Sequence, residues 1–158
     1  WQVNYSDFQM ELRWGENPHD VDSYLAIKRK SDGETIDTVY YLHKKAAIDD
    51  GVIVLNAELD IDDTTSYGPE TVTLSMLPQS AYRDYDFYYY IKNYSGEQNG
   101  KLKESGANIT LIKRGETIKE YNISTASGAS ERYWNVFAIK NGEIVERNTM
   151  TSEPELNY

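Results

Sequence analysis

Six acidic residues in two separate segments are the strongest candidates for chemistry in this sequence. Asp20 and Asp22 lie between Trp14 and Leu25, and the stretch from Leu59 to Glu70 contains the other four, which are Asp60, Asp62, Asp63 and Glu70. Residues two positions apart on an extended chain point to the same side. Each Asp-x-Asp pair therefore presents two carboxylates together.

If the two segments lie side by side, these carboxylates repel one another by on the order of 1 kcal/mol per pair even in water. A hard divalent cation relieves that repulsion, and calcium takes six to eight oxygen ligands from carboxylates, carbonyls and water. We expect a calcium site built from all six residues, with Asn17 as a further possible ligand. The site is not an EF-hand, because Thr65 and Thr71 replace the glycine and the closing glutamate. The alternative is that these aspartates form turns on a solvated edge.

Tyrosines are the second candidate, since the chain contains 14 of them and several fall between positions 82 and 94. With a period of two, Tyr85, Phe87, Tyr89 and Ile91 share one face, and Tyr88 and Tyr90 lie on the other. One face must be core, and the other could offer flat rings to a sugar or a protein. We predict Tyr88, Tyr90 and Tyr94 as ligand-binding residues; the alternative is that they are half-buried boundary residues.

Several functional classes have little support. The formal net charge of -10 disfavours binding to nucleic acid or to an anionic membrane surface, which require a cationic footprint. There is no Gly-x-Ser-x-Gly, His-Glu-x-x-His or Walker motif, and the only histidines are His19 and His43. The absence of cysteine excludes disulfides, thiolate metal sites and cysteine nucleophiles. We predict that the chain is not an enzyme.

The candidate residues must be positioned by strands, because apolar residues alternate with polar ones in most of the chain. The residues from Phe8 to Trp14, and from Thr71 to Leu77, alternate with a period of two. Arg114-Gly115 and Asn141-Gly142 each separate two strand-like runs, which indicates hairpins. We predict an all-β, two-sheet antiparallel sandwich of the Ig-like or jelly-roll-like kind, with about eight to ten strands. A short helical turn between Leu42 and Asp50 is possible.

The domain prediction is a single module over residues 1–150, followed by a polar C-terminal linker over 151–158. No stretch reaches the ~20 apolar residues that span a bilayer. No signal peptide is visible in the sequence, which opens at Trp1. We therefore expect the targeting sequence to lie elsewhere in a longer polypeptide.

Two motifs resemble those of bacterial YfaP-like domains. They are Leu-x-Trp-Gly-x-x-Pro-x-Asp-Val-Asp-Ser-x-Leu from Leu12 to Leu25, and Leu-Asp-x-Asp-Asp-Thr-x-Ser-Tyr-Gly-Pro-Glu from Leu59 to Glu70. The resemblance implies a small β-sandwich of exported or cell-surface bacterial proteins, often beside Ig-like repeats.

These observations together predict a non-catalytic, calcium-binding module with a structural or adhesive role in a secreted or surface-anchored bacterial protein. The alternative is a carbohydrate-binding module attached to a secreted glycan-active enzyme. We expect a monomer without nucleic-acid partners or membrane insertion. Its expected partners are neighbouring domains of the same polypeptide and a protein or glycan ligand.

Overall fold

The structure, a computed structural model, describes residues 6–18, 20–61 and 67–158. These residues contain eleven strands, which are β1 (Phe8–Arg13), β2 (Val21–Arg29), β3 (Thr35–Val39), β4 (Lys45–Asp49), β5 (Val54–Ile61), β6 (Glu70–Leu77), β7 (Tyr85–Asn93), β8 (Asn108–Lys113), β9 (Glu116–Asn122), β10 (Tyr133–Lys140) and β11 (Glu143–Thr151). The predicted all-β class is confirmed, with one strand more than the predicted range.

The strands form two antiparallel sheets that pack against each other. The six-stranded sheet has the order β4-β5-β6-β1-β8-β9, and the five-stranded sheet has the order β11-β10-β7-β2-β3. In the six-stranded sheet, β1 lies between β6 and β8, and Leu12 is opposite Glu70. In the five-stranded sheet, β2 pairs with β7 along its whole length, whereas β3 joins β2 only from Leu25 onward. The predicted two-sheet sandwich is confirmed.

The core lies between the sheets and follows the alternation of the sequence. In β1 the buried residues are Phe8, Met10 and Leu12, and in β6 they include Val72, Leu74 and Met76. The inner face of β7 is formed by the predicted set, Tyr85, Phe87, Tyr89 and Ile91. The period of two therefore decides which side chains of these strands are removed from water.

The turns follow the predicted chemistry at two hairpins and differ at one segment. Asn141 and Gly142 have φ angles of 55° and 74°, and they connect β10 to β11. Arg114 and Gly115 also have positive φ, and they connect β8 to β9. The helical turn considered between Leu42 and Asp50 is wrong, because residues 45–49 form edge strand β4 on β5.

A second apolar cluster lies on the outer face of the five-stranded sheet. It contains Ala26, Tyr88, Tyr90 and Ala138, and the partly buried side chains packed against it are Tyr24, Tyr133, Leu156 and Tyr158. The sheet is thus covered on both sides over part of its area.

The C-terminal residues supply part of that cover. Thr151 belongs to β11, and the following residues lie against the sandwich instead of extending from it as the predicted linker would. Lys28 Nζ donates to the Leu156 carbonyl at 2.6 Å, and the Tyr158 ring meets Tyr88 edge-on at 5.2 Å. Asn135, buried in β10, accepts the Glu155 N–H at 2.9 Å and donates to the Glu155 carboxylate at 3.1 Å.

The helices of the described residues are short 3₁₀ segments of three to five residues, at Gln79–Arg83, Glu97–Asn99, Leu102–Glu104 and Ile123–Thr125. Within those parts of the chain, no helix has the length and apolar character needed to cross a membrane.

Candidate metal site

Three of the six predicted acidic residues come together at one end of the sandwich. Asp20 immediately precedes β2, Asp22 is the second residue of β2, and Glu70 begins β6 on the other sheet. One carboxylate oxygen from each lies within 4.8 Å of the other two. We call these three residues the acidic trio. They join sequence segments that are about fifty positions apart and belong to different sheets.

Glu70 enters the space between the sheets because it shares the inner face of β6 with Val72 and Leu74. Its side chain is fully buried, with 0% exposure. Its Oε1 accepts a hydrogen bond from the Ser23 N–H at 3.0 Å. That N–H lies in the part of β2 that β3 does not reach, since β3 pairs only from Leu25 onward. The Glu70 carboxylate therefore takes the place of the backbone carbonyl that a neighbouring strand would offer to the Ser23 N–H.

Ser23 connects Glu70 to the core. Its hydroxyl lies 2.9 Å from the Tyr89 hydroxyl, and both residues are fully buried. Burial raises the pKa of Tyr89 far above its usual value, and the nearby Glu70 charge adds to the effect. Tyr89 thus remains a neutral hydrogen-bonding group beside the acidic trio.

Asp22 is 2% exposed, and its charge reaches the aromatic side chains next to it. Burial raises the pKa of Tyr24 well above the usual range, and the Asp22 charge raises it further. The pKa of Tyr41 is raised by desolvation, then by a hydrogen bond with Tyr94, and also by Asp22. The carboxylate consequently lies at the border between the acidic trio and a tyrosine surface.

The loop after β7 holds Asp20 in place through its backbone. The Asp20 N–H donates to Ser95 Oγ at 3.1 Å, and the Asp20 carbonyl accepts from the N–H groups of Tyr94 and Ser95 at 3.1 and 3.4 Å. These hydrogen bonds fix the backbone at the start of β2.

The second motif is held by close packing against the first. The Trp14 N–H donates to the Tyr67 carbonyl at 3.4 Å, and the Tyr67 N–H donates to the Gly15 carbonyl at 3.2 Å. Gly68 has φ of 74°, and a Cβ there would lie 2.8 Å from the Trp14 ring. Glycine is required at this position for both reasons. The Trp-Gly and Tyr-Gly-Pro-Glu elements of the two motifs therefore position Glu70.

Asn93 is a buried amide at the end of β7. It is fully buried, and in the sheet it lies opposite Val21, between Asp20 and Asp22 in sequence. Its Nδ2 donates to Glu97 Oε2 and to the Gly100 carbonyl, both at 2.9 Å. Its Oδ1 is buried and has no hydrogen-bond partner among the described residues. An amide oxygen is also a suitable ligand for a hard cation.

Asp60 is not part of the acidic trio, and that part of the prediction is wrong. It lies in β5 on the outer side of the six-stranded sheet, where the exposed residues of β5 include Asn56 and Glu58. Partial burial and the Glu58 charge raise the pKa of Asp60, while a hydrogen bond with Thr73 lowers it. The predicted ligands Asp62 and Asp63 lie outside the described residues, as does His19.

The arrangement suits a hard cation. Carboxylate oxygens are the ligands that calcium prefers, and none of the three residues offers the nitrogen or sulfur typical of zinc sites. Three like charges at this separation repel one another, and the repulsion grows where water is excluded, as it is around Asp22 and Glu70. A bound divalent ion would attract all three carboxylates and outweigh their mutual repulsion.

The three predicted ligand-binding tyrosines divide into two groups. The expectation that Tyr88 and Tyr90 present open ring faces is wrong, because they are only 3% and 7% exposed. Tyr88 is covered by Tyr158, and Tyr90 stacks on Tyr24 with ring centroids 5.0 Å apart. Tyr94 is 47% exposed and meets Tyr41 edge-on at 5.4 Å.

These contacts belong to a longer row of tyrosine rings that crosses the outer face of the five-stranded sheet. We call it the tyrosine row, and its members in order of contact are Tyr133, Tyr90, Tyr24, Tyr40, Tyr41 and Tyr94. Neighbouring ring centroids are 5.0 to 5.9 Å apart. The row ends at the loop that holds Asp20.

Residues around the acidic trio that the sequence analysis did not select are Ser95, Asn93 and Tyr67. They stand next to strand ends, in polar stretches that also suit ordinary turns. Their one sequence signal is proximity to predicted residues, since Asn93 and Ser95 flank Tyr94, and Tyr67 precedes Gly-Pro-Glu.

Comparison with known proteins adds no assignment. No protein-family model matches the chain, and no curated protein matches it. The relation to YfaP-like domains stays a prediction from the two motifs, and function is inferred from the geometry of the acidic trio.

Proposed function

We propose that the chain is a non-catalytic, calcium-binding β-sandwich module of a larger secreted or surface-anchored bacterial protein, with a structural or adhesive role. One observation carries the proposal, namely that oxygens of Asp20, Asp22 and Glu70 lie within 4.8 Å of one another. Two of these three residues are almost completely removed from solvent, at 2% and 0% exposure. Adjacent buried carboxylates are stabilised by a cation or by protonation, and calcium is the cation that fits this set of oxygens.

The ion would act as a clamp between the sheets. Asp20 and Asp22 belong to the start of β2, and Glu70 to the start of β6. Additional oxygens would come from backbone carbonyls and water. Binding to the folded state alone raises stability by RT ln(1 + [L]/Kd), which is about 2.7 kcal/mol at a hundredfold excess over Kd.

An extracellular setting agrees with this proposal. Calcium sites of extracellular modules have dissociation constants of about 10⁻⁴ to 10⁻³ M, which requires fewer charged ligands than a tight cytosolic buffer. The acidic trio supplies three carboxylates. A module of this kind would gain rigidity after export, next to neighbouring domains of the same polypeptide.

Thermal unfolding tests the proposal. In calcium at about a hundredfold excess over Kd, we expect a melting temperature about 5–10 °C above that in chelator, for a domain of this size. Asp22→Asn should remove the difference, whereas Asp60→Asn, with the same change of charge on the outer face, should retain it. Equal melting curves in calcium and chelator would contradict the proposal.

Terbium luminescence provides a second test that does not depend on stability. Terbium occupies oxygen sites of the calcium type. Tyr24 and Tyr41 lie close enough to Asp22 for its charge to raise their pKa values. Excitation of tyrosine should therefore produce terbium emission that calcium displaces. Asp22→Asn should abolish the emission, and Asp60→Asn should leave it unchanged.

A carbohydrate-binding module is the second candidate function, and one observation favours it. Among the described exposed large hydrophobic side chains, the aromatic ones are Tyr67 and Tyr94, at 61% and 47% exposure. Both lie in loops that contact the acidic trio or its flanking residues. Exposed tyrosine rings stack on sugar faces.

Glycan-array binding tests this candidate. We expect binding in calcium that is lost in Tyr94→Ala and retained in Val52→Ala, which also removes an exposed apolar side chain. Absence of binding to plant, host and bacterial glycans would contradict a carbohydrate-binding function and would leave the calcium proposal unaffected.

A further inference from the structure

A cavity of about 300 Å³ lies at the end of the sandwich opposite the acidic trio. Its walls are the start of β1, the 3₁₀ helix Gln79–Arg83, the end of β8 and the turn between β10 and β11. Phe8 is opposite Leu74 in the sheet, and Leu12 is opposite Glu70, so the length of β1 separates the two sites. The cavity is therefore independent of the proposed calcium site.

The floor of the cavity contains one carboxylate, and protein donors surround it. Asp7 Oδ2 accepts from the Met76 N–H at 2.7 Å and from the Tyr82 hydroxyl at 2.9 Å. Asp7 Oδ1 accepts from Gln79 Nε2 at 2.9 Å and from the Arg114 guanidinium at 3.3 Å. Arg114 thus neutralises the only acidic residue of the lining.

Two cations, Arg83 and Lys113, lie on the rim of the cavity. Among the described residues, no carboxylate lies within ion-pair distance of Arg83 or Lys113. Arg83 Nε is held by the Ser80 carbonyl at 3.2 Å, and Lys113 Nζ lies 5.5 Å from the centre of the Phe8 ring. In a chain with a net charge of -10, this cavity has a local excess of positive charge.

Neutral polar groups and aromatic surface complete the lining. Ser80 and Asn141 are exposed at the rim, and the Asn141 Oδ1 accepts from Lys30 Nζ at 2.6 Å, which directs the amide nitrogen away from that contact. Phe8 and Tyr82 supply the apolar wall. Hydrogen-bond donors, two cations without an ion pair among the described residues and a small apolar wall are the features of a site for a compact organic anion.

We propose that this cavity binds a small anion that carries a carboxylate or sulfate group, with Arg83 and Lys113 as its charged partners. An acidic monosaccharide matches this chemistry, because its carboxylate would meet the cations and its hydroxyls would meet Ser80 and Asn141. Inorganic sulfate shares the charge but lacks the ring and its hydroxyls.

NMR titration of the chain in chelator, with glucuronate, glucose and sulfate as probes, tests the proposal. Glucuronate should shift the amide resonances of Ser80, Asn141 and Gly142 saturably below about 50 mM, and glucose should not. Stronger binding of glucuronate than of sulfate assigns the site to organic acids, and the opposite order assigns it to inorganic anions. Both results support an anion site.

Two variants with matched controls complete the design. Arg83→Gln and Lys113→Gln should each weaken glucuronate binding about tenfold, because each removes one charge at short range. Lys45→Gln, the same change on the edge strand β4, should leave binding unchanged. Absence of saturable shifts, equal shifts with glucose, or equal weakening by all three variants would overturn the proposal.

Discussion

Asp7 and the acidic trio are two acidic regions at opposite ends of the β1–β6 pair, and they differ in what surrounds the charge. Asp7 is 7% exposed and is surrounded by an N–H, a hydroxyl, an amide and a guanidinium. The acidic trio instead places three carboxylates within 4.8 Å. The first region surrounds a single buried charge with several donors, whereas the second brings three charges of one sign together.

This difference separates a structural acid from a candidate ligand site. A buried carboxylate with several donors is a stable part of a fold, and its removal leaves those donors unsatisfied. Clustered carboxylates gain stability when a cation arrives and lose it when the cation leaves. The stability of one region should therefore be constant with respect to calcium, and the stability of the other should follow it.

Asp7→Ala should cause the largest effect. The buried Met76 N–H and Tyr82 hydroxyl would lose their acceptor, and each buried unsatisfied group costs about 1–3 kcal/mol, so we expect a loss of about 3–5 kcal/mol of unfolding free energy; the exposed Arg114 would be solvated by water and adds little. Urea denaturation in calcium and in chelator measures it, and the loss should be equal in both. A loss smaller than about 1 kcal/mol would mean that water replaces the carboxylate without penalty.

Glu70→Gln should sharpen the contrast at the acidic trio. The amide oxygen can still accept from the Ser23 N–H, but one negative charge is removed. In chelator, we expect the variant to be about 1 kcal/mol more stable than the parent, because repulsion is relieved. The stabilisation by calcium, about 2.7 kcal/mol at a hundredfold excess over Kd, should disappear. A variant that is destabilised in chelator and still responds to calcium would contradict both expectations.

Glu155 tests a compensated carboxylate outside the core. Hydrogen bonds from Arg147 and Thr149 hold the pKa of Glu155 below its usual range. A lowered pKa stabilises the fold above the unfolded pKa of about 4.3, and the contribution is lost as the pH falls through the lower pKa of the folded state. Glu155→Gln should therefore cost about 1 kcal/mol at pH 7 and progressively less at lower pH. Thermal melts across this pH range measure the difference, which calcium should not change.

Asp60→Asn should produce the smallest effect. Partial burial and Glu58 raise the pKa of Asp60, so its ionised form is slightly unfavourable in the folded state. Its contribution is fully present below the unfolded pKa and is lost as the pH rises through the raised pKa. At pH 7 the variant should be more stable than the parent by a few tenths of a kcal/mol. Loss of calcium binding in this variant would return Asp60 to the candidate site.

The sequence predicted the features that depend on local pattern. Alternation identified the core faces of β1, β6 and β7, and Asn141-Gly142 identified a hairpin. Edge strand β4 was missed because residues 45–49 have one buried position and acquire their conformation from pairing with β5. A propensity for strand in such a segment comes from its neighbour and is not visible in its own residues.

Only part of the site was predicted correctly, because the remaining positions depend on contacts between distant strands. The pairing of Asp20 and Asp22 with Glu70 agrees with the two motifs, but Asp60 follows the outer face of β5, which its register on β6 determines. Tyr88 and Tyr90 were expected to be open. The pattern of one strand does not show that Tyr158 covers Tyr88 or that Tyr24 stacks on Tyr90. Distant contacts of this kind depend on the complete fold.

The Ser23 N–H donates its hydrogen bond to a carboxylate that also belongs to the acidic trio. The acceptor is Glu70 Oε1. A cation that draws electron density from this carboxylate weakens it as an acceptor, while the added rigidity slows local opening. Deuterium uptake at this single amide would therefore record, in one strand, both the strength of the acceptor and the frequency with which the two sheets separate at this end.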